Sequence, residues 1–135
     1  MDTVEFENRI KQLLPDADMT VMPFWIAYAT ELDQAENISR EDYFDEMYAE
    51  LYLVNKRYGG DIARRIFDAA KSFTFNPFEV RRAAALLREG AEMEEVFQKA
   101  LDGLCEDTAE EAAERKAEVE RLRHYETDDG QTLKM

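Results

Sequence analysis

The chain has 135 residues, of which 31 are acidic and 17 are basic, so its formal net charge at pH 7 is −14. A chain of this length can form one domain with a real hydrophobic core and is too short for two such domains. The negative charge repels phosphate, which argues against unassisted binding to nucleic acid or to an anionic membrane surface and favours a basic partner.

Cysteine content and hydropathy indicate a cytoplasmic protein. Cys105 is the single cysteine, so the chain cannot form an internal disulfide or a cysteine-based metal site, which fits a reducing compartment. The N-terminal segment is charged from its second residue and lacks the apolar region of a signal peptide. The uncharged stretch 19–29 contains Pro23 and is too short to cross a bilayer. We therefore predict a cytoplasmic protein without membrane contact.

The first two helices are predicted from apolar side chains that recur on one helix face. The first covers residues 3–14 and is closed by Pro15. The second begins near Thr20 or at Pro23, which suits a first helical position, and ends at Asn37. The predicted inward-facing residues of these two helices are Phe6, Ile10, Leu13, Leu14, Trp25, Tyr28, Leu32 and Ala35.

The third helix, residues 39–58, is predicted to be the centre of the fold. Ser39 is placed as its N-cap and Gly59 as its C-terminal stop. Its apolar side chains cover about half of the helix circumference, which is wider than one neighbouring helix can cover. They are Tyr43, Phe44, Met47, Tyr48, Leu51, Tyr52, Val54 and Tyr58. We therefore predict an all-α, single-domain bundle of about six to seven helices around this aromatic-rich helix.

Two more helices follow the glycine pair at 59–60. The fourth is short and carries its core-facing residues within 62–73. The fifth has the strongest start signal in the chain, because Asn76 is placed as N-cap and Pro77 at the first helical position. It ends at Gly90. Together with the helix that follows, it is expected to form a hairpin.

The sixth and seventh helices complete the predicted domain. The sixth carries its core-facing residues within 93–104, among them Leu101 and Leu104, and Gly103 is placed to stop it with Leu104 folding back. The seventh can start at Asp107 or Thr108, with Glu111 at the capping-box position, and covers about 107–125. The domain is therefore predicted to span residues 1–125, followed by a flexible C-terminal tail of residues 126–135.

Carboxylates line one face of the predicted last helix, spaced by three or four residues and so by about 5–6 Å along the axis. Three interpretations remain open: a solvated face partly offset by neighbouring arginines, a phosphate-like row that enters the basic groove of a nucleic-acid-binding protein, or a helix that docks on the arginines of the middle segment, in one molecule or across a dimer. The candidate partner-binding residues of this acidic face are Asp107, Glu110, Glu111, Glu114 and Glu118. The middle-segment arginines are Arg64, Arg65, Arg81, Arg82 and Arg88, and the last three are predicted secondary partner or dimer contacts.

Direct recognition of DNA is not expected from the hairpin of the fifth and sixth helices. Its spacing resembles that of a helix-turn-helix, in which the second helix enters the major groove. Here the second helix would bring carboxylates to phosphates and base acceptors. Its charged residues are Glu92, Glu94, Glu95 and Asp102 against the single Lys99.

The residues that could support catalysis are few, and we predict neither a catalytic nor a metal site. His124 lies four residues after Glu120, a spacing that could place both on one helix face as metal ligands. Because the predicted last helix has few apolar residues to fix its position, we interpret His124 as a surface residue near a helix C-terminus. A carboxylate–magnesium site of the phosphohydrolase type could be assembled only from residues that a helical wheel places toward water on the third helix. That set is Asp42, Asp45 and Glu46, together with Glu92 and Glu95.

In composition, the chain resembles the broad class of phage and mobile-element proteins that inhibit nucleic-acid enzymes by occupying their basic clefts, including CRISPR inhibitors. We therefore expect a non-enzymatic interaction protein, without cofactor, that binds a basic and nucleic-acid-binding protein and blocks or mimics its nucleic-acid ligand. The alternatives are a helical homo-oligomer or assembly subunit, in which acidity serves solubility, and a carboxylate–metal phosphohydrolase.

Overall fold

The computed structural model describes the backbone of residues 1–134 and the side chains of residues 1–124, and within this range all regular structure is helical. The α-helices are α1 (Thr3–Leu13), α2 (Met22–Gln34), α3 (Arg40–Tyr58), α4 (Gly60–Asp68), α5 (Pro77–Arg88), α6 (Met93–Leu101) and α7 (Ala109–Lys134). Short 3₁₀ helices precede α2 (Met19–Val21) and follow α4 (Ala69–Lys71). The predicted all-α fold class is confirmed. The predicted flexible tail, residues 126–135, lies outside the described side chains and stays a prediction.

Helix α3 is the centre of the bundle and packs against α1, α2, α4, α5 and α7. It begins where Ser39 accepts a hydrogen bond from the backbone N–H of Asp42 at 3.1 Å, and it ends at Gly59. Gly59 has φ of +97°, a conformation that a residue with a Cβ rarely adopts, so the chain turns sharply into α4. The central position predicted for this helix is confirmed.

Two buried polar groups tie the aromatic core to the backbone of neighbouring segments. The indole N–H of Trp25 donates to the carbonyl of Phe67 at 3.0 Å, which joins α2 to α4. The hydroxyl of Tyr43 donates to the carbonyl of Phe75 at 3.0 Å, which joins α3 to the segment before α5. Because these donors are satisfied, the large rings can be fully buried without the cost of an unpaired polar atom.

Helix α6 ends just before Gly103, the glycine predicted to stop it. Gly103 adopts φ of +75°, and the backbone N–H of Leu104 donates to the carbonyl of Lys99 at 2.9 Å, which closes the helix at Leu101. The turn carries both leucines outward, so Leu101 is 64% and Leu104 is 68% exposed. Their assignment to the core was therefore wrong.

None of the described helices combines the length and the apolar content needed to cross a lipid bilayer.

Candidate functional site

The predicted acidic face of α7 is largely ion-paired in the structure. Four of its five carboxylates face a guanidinium, and Glu110 takes part in no described ion pair. The pairs are Asp107 with Arg115, Glu111 with Arg82 (3.1 Å), Glu114 with Arg81 and Arg57 (3.5 Å each), and Glu118 with Arg121. The α7 row is therefore not a continuous free anionic surface. Among the three interpretations, the pairs of Glu111 and Glu114 correspond to docking on middle-segment arginines within one molecule.

One of those arginines lies inside the protein. The Arg81 side chain is 1% exposed and meets Glu50, which is 0% exposed, through N–O distances of 3.1 and 3.4 Å. Arg115 reaches the same carboxylate at 3.4 Å. Burial raises the pKa of Glu50, while Arg81 and Arg115 act to lower it. Arg81 is thus a structural residue that a partner cannot reach, which corrects its assignment as a partner contact.

The other two predicted contact arginines are on the surface. Arg82 is paired with Glu111, as above, and keeps 41% of its side chain exposed. The guanidinium of the exposed Arg88 lies 5.6 Å from the centre of the Tyr58 ring, a cation–π distance. Arg82 and Arg88 stay candidates for a partner or dimer contact.

The acidic residues proposed for a metal site on α3 are bound by arginines. Asp45 is buried, contrary to the helical-wheel prediction, and its carboxylate lies 2.8 Å from Arg123 and 2.6 Å from the amino group of Met1. Glu46 meets Arg115 at 3.2 Å, and Asp42 also meets Arg123, at 2.8 Å. Among the described residues, no group of three or more His, Cys, Asp or Glu is arranged to hold a metal ion.

Exposed carboxylates with few ion pairs are frequent in the segment that runs from the end of α5 through α6 to the first turn of α7. Residues 89–110 contain eight carboxylates and one cationic side chain, Lys99. Seven of the carboxylates are exposed, and the only described ion pair among them, Glu95 with Lys99, has an N–O distance of 4.0 Å. We call these seven residues the α6 acidic face: Glu89, Glu92, Glu94, Glu95, Asp102, Glu106 and Glu110.

Exposed apolar side chains lie beside this acidic face. Leu101 and Leu104 flank Asp102 in the chain, and the backbone N–H of Asp107 donates to the carbonyl of Phe78 at 3.0 Å. That bond brings the start of α5, where Phe78 is 38% exposed, next to the α6–α7 turn. Local sequence patterns did not reveal this apolar cluster, because Leu101 and Leu104 continue the core periodicity of α6. The one signal available was Gly103 between them.

Neither a protein-family model, nor a curated protein, nor a solved structure matches this chain.

Proposed function

We propose that this protein is a non-enzymatic interaction protein whose α6 acidic face binds a basic, nucleic-acid-binding protein and blocks or mimics its nucleic-acid ligand. The observation that carries the proposal is the concentration of exposed carboxylates in residues 89–110. These carboxylates are electrostatically complementary to the basic cleft of a nucleic-acid-binding protein.

The apolar residues beside the acidic face supply a second element of an interface. Exposed ion pairs contribute little individually, so a stable complex needs some buried apolar contact in addition. Leu101 and Leu104 provide such a contact at the centre of the charged region. The proposed partner therefore has an apolar contact site surrounded by lysines or arginines.

The same arrangement favours a basic partner over the homo-oligomer alternative. A two-fold dimer brings the same surface of both copies together. Burying Leu101 and Leu104 in such a contact would place Asp102 and Glu106 of one copy against those of the other. Like charges at an interface are unfavourable, and the net charge of −14 per chain adds long-range repulsion.

The experiment compares capture of partner proteins by three immobilised proteins. These are the wild type, the α6 variant (Glu94→Gln, Asp102→Asn, Glu106→Gln) and a matched control. In the control, Asp16→Asn, Glu31→Gln and Glu41→Gln make the same charge change at exposed sites outside residues 89–110. Proteins captured from a bacterial lysate are identified, and elution with a 20-base-pair DNA duplex is measured.

The proposal predicts that wild type and control capture the same basic, nucleic-acid-binding protein and release it to the duplex. The α6 variant should bind that protein about 3- to 150-fold more weakly, because each of the three lost ion pairs contributes roughly 0.2–1 kcal/mol. Equal capture by the α6 variant and the control, or a captured protein that the duplex does not displace, would contradict the proposal.

A further inference from the structure

Helix α7 lies on α3 through arginines that meet a row of carboxylates. Arg115 contacts Glu46 and Glu50, and Arg123 contacts Asp42 and Asp45. The two arginines are eight residues apart, so they lie on the same side of α7. We call the four carboxylates of α3, with the neighbouring Tyr48 and Tyr52, the α3 groove.

An aromatic contact extends this recognition along α7. The guanidinium of Arg121 lies 5.5 Å from the centre of the Tyr52 ring, a cation–π distance. The α3 groove thus binds three arginines of one helix by two chemical means, carboxylates and an aromatic face.

Apolar packing contributes little to this contact. Among the described residues of α7, Val119 is the buried apolar side chain, while Ala112 and Leu122 are half-buried. Open surface clefts, lined by residues around Arg115 and Arg121, run along the line where α3 meets α7. The docking of α7 therefore depends mainly on charge.

Undocking α7 would not leave a buried charge without a partner. Glu50 would keep its ion pair with Arg81. Arg115 and Arg123 would become hydrated, and so would the α3 carboxylates with which they had paired. The attraction within a buried ion pair roughly offsets the cost of removing both charges from water, so little is lost when both return to it. A helix with few buried apolar contacts also belongs to the regions of a protein that open most easily.

We propose that the α3 groove is a second recognition site, specific for a partner helix that presents arginines eight residues apart, and that α7 occupies it as an internal competitor. The partner helix displaces α7 by making the same contacts with Asp42, Asp45, Glu46 and Glu50. This surface shares no residue with the α6 acidic face, so either proposal can fail without the other.

The test uses the full-length protein and a synthetic probe. The double variant Arg115→Gln, Arg123→Gln weakens the internal competitor and leaves the groove unchanged. The probe is a fluorescein-labelled peptide with the sequence of residues 107–124, and its binding is measured by fluorescence anisotropy. A tethered helix competes at an effective concentration in the millimolar range, so weakening it should tighten binding of the free peptide by tenfold or more relative to wild type.

Two controls assign the binding to the groove. A peptide with glutamine at both arginine positions should not bind the double variant. Adding Asp45→Asn and Glu46→Gln to the double variant should abolish binding of the original peptide. Hydrogen exchange should show that α7 amides lose protection in the double variant while α5 amides keep theirs, which verifies that the rest of the bundle is folded.

Several results would overturn the proposal. One is equal peptide affinity for the wild type and the double variant. Another is binding that survives loss of the peptide's arginines or of Asp45 and Glu46. Conversion of the double variant to a dimer, measured by sedimentation, would show that the groove takes α7 of a second copy, and would also overturn the assignment to a partner helix.

Discussion

The buried pair of Glu50 and Arg81 gives the sharpest prediction about stability. The change is Arg81→Met, which keeps most of the side-chain volume and removes the guanidinium. It leaves a fully buried carboxylate with one remaining cation, Arg115 at 3.4 Å. Removing one member of a buried pair costs about 3–5 kcal/mol, and because Arg115 remains we expect a loss of ~3 kcal/mol in the free energy of unfolding.

The assay is urea unfolding followed by circular dichroism. With a slope of about 2 kcal/mol per molar urea, a loss of ~3 kcal/mol lowers the midpoint by about 1.5 M. The control is Arg82→Met on the same helix, whose ion pair with Glu111 is on the surface; it should cost less than ~1 kcal/mol. The double variant Glu50→Met, Arg81→Met should be more stable than Arg81→Met alone, because it buries no unpaired charge.

The loss should also depend on pH. Burial raises the pKa of Glu50 above its ordinary value of roughly 4.3, so the folded state binds this proton more tightly than the unfolded state. The stabilisation that this bound proton provides is fully present below the pKa of Glu50 in the unfolded chain. It is lost as the pH rises through the pKa of Glu50 in the folded protein. Arg81→Met removes an interaction that lowers the pKa, so the pKa rises further. The stability difference between this variant and the wild type should therefore narrow as pH falls from 7 through the pKa of Glu50 in the folded variant.

Equal losses in Arg81→Met and Arg82→Met would refute this account of the buried pair. So would a stability difference between Arg81→Met and the wild type that does not change as the pH falls through the acidic range. Either result would mean that the Glu50 carboxylate is hydrated in the folded protein.

Three further predictions concern α3 and its neighbours. Ser39→Ala removes the N-cap hydrogen bond to Asp42 and should lower the free energy of unfolding by about 1 kcal/mol, measured by urea unfolding; no change would mean that the cap is not formed. Gly59→Ala forces a Cβ into a backbone with φ of +97° and should lower the free energy of unfolding by about 1–3 kcal/mol in the same assay. An unchanged free energy of unfolding would mean that the turn relaxes to accept the Cβ. Burial raises the pKa of Tyr28 to about 12. The absorbance of ionised tyrosine, measured as the difference between wild type and Tyr28→Phe during an alkaline titration, should therefore have its midpoint near pH 12. A midpoint near pH 10 would contradict the described burial.

Helix starts and the central position of α3 could be predicted because their causes are local in sequence. Ser39 and Gly59 mark the ends of α3, and both occupy the predicted positions. The last helix likewise begins with the predicted capping box, in which Thr108 and Glu111 exchange hydrogen bonds of 2.9 and 3.1 Å. The wide apolar surface of α3 correctly indicated contact with several helices.

The ion pairs could not be predicted because their members are far apart in the chain. Glu50 and Arg81 are 31 residues apart, and Arg123 is 78 residues from Asp45. A helical wheel places a charged residue relative to its own helix only, so it placed Asp45 in water although α7 covers it. The one sequence signal for Glu50 was its position between Ala49 and Leu51, both buried on a helix that is surrounded by neighbours.

The location of the free charge was mispredicted for the same reason. The carboxylates of α7 have regular spacing, but cations from α3, α5 and α7 itself meet most of them. Those of residues 89–110 are less regular, and among the seven exposed ones only Glu95 has a described ion pair, with Lys99 of the same helix. The choice between paired and free carboxylates depends on tertiary contacts.

The most direct test of the central claim, that the α6 acidic face binds a basic partner, is the salt dependence of the Kd for the captured protein. For the wild type and the Asp16, Glu31, Glu41 control, we predict a Kd that rises at least tenfold between 50 and 500 mM salt. The α6 variant should give a weaker complex whose Kd changes less steeply with salt. Identical slopes for the three proteins would contradict the claim.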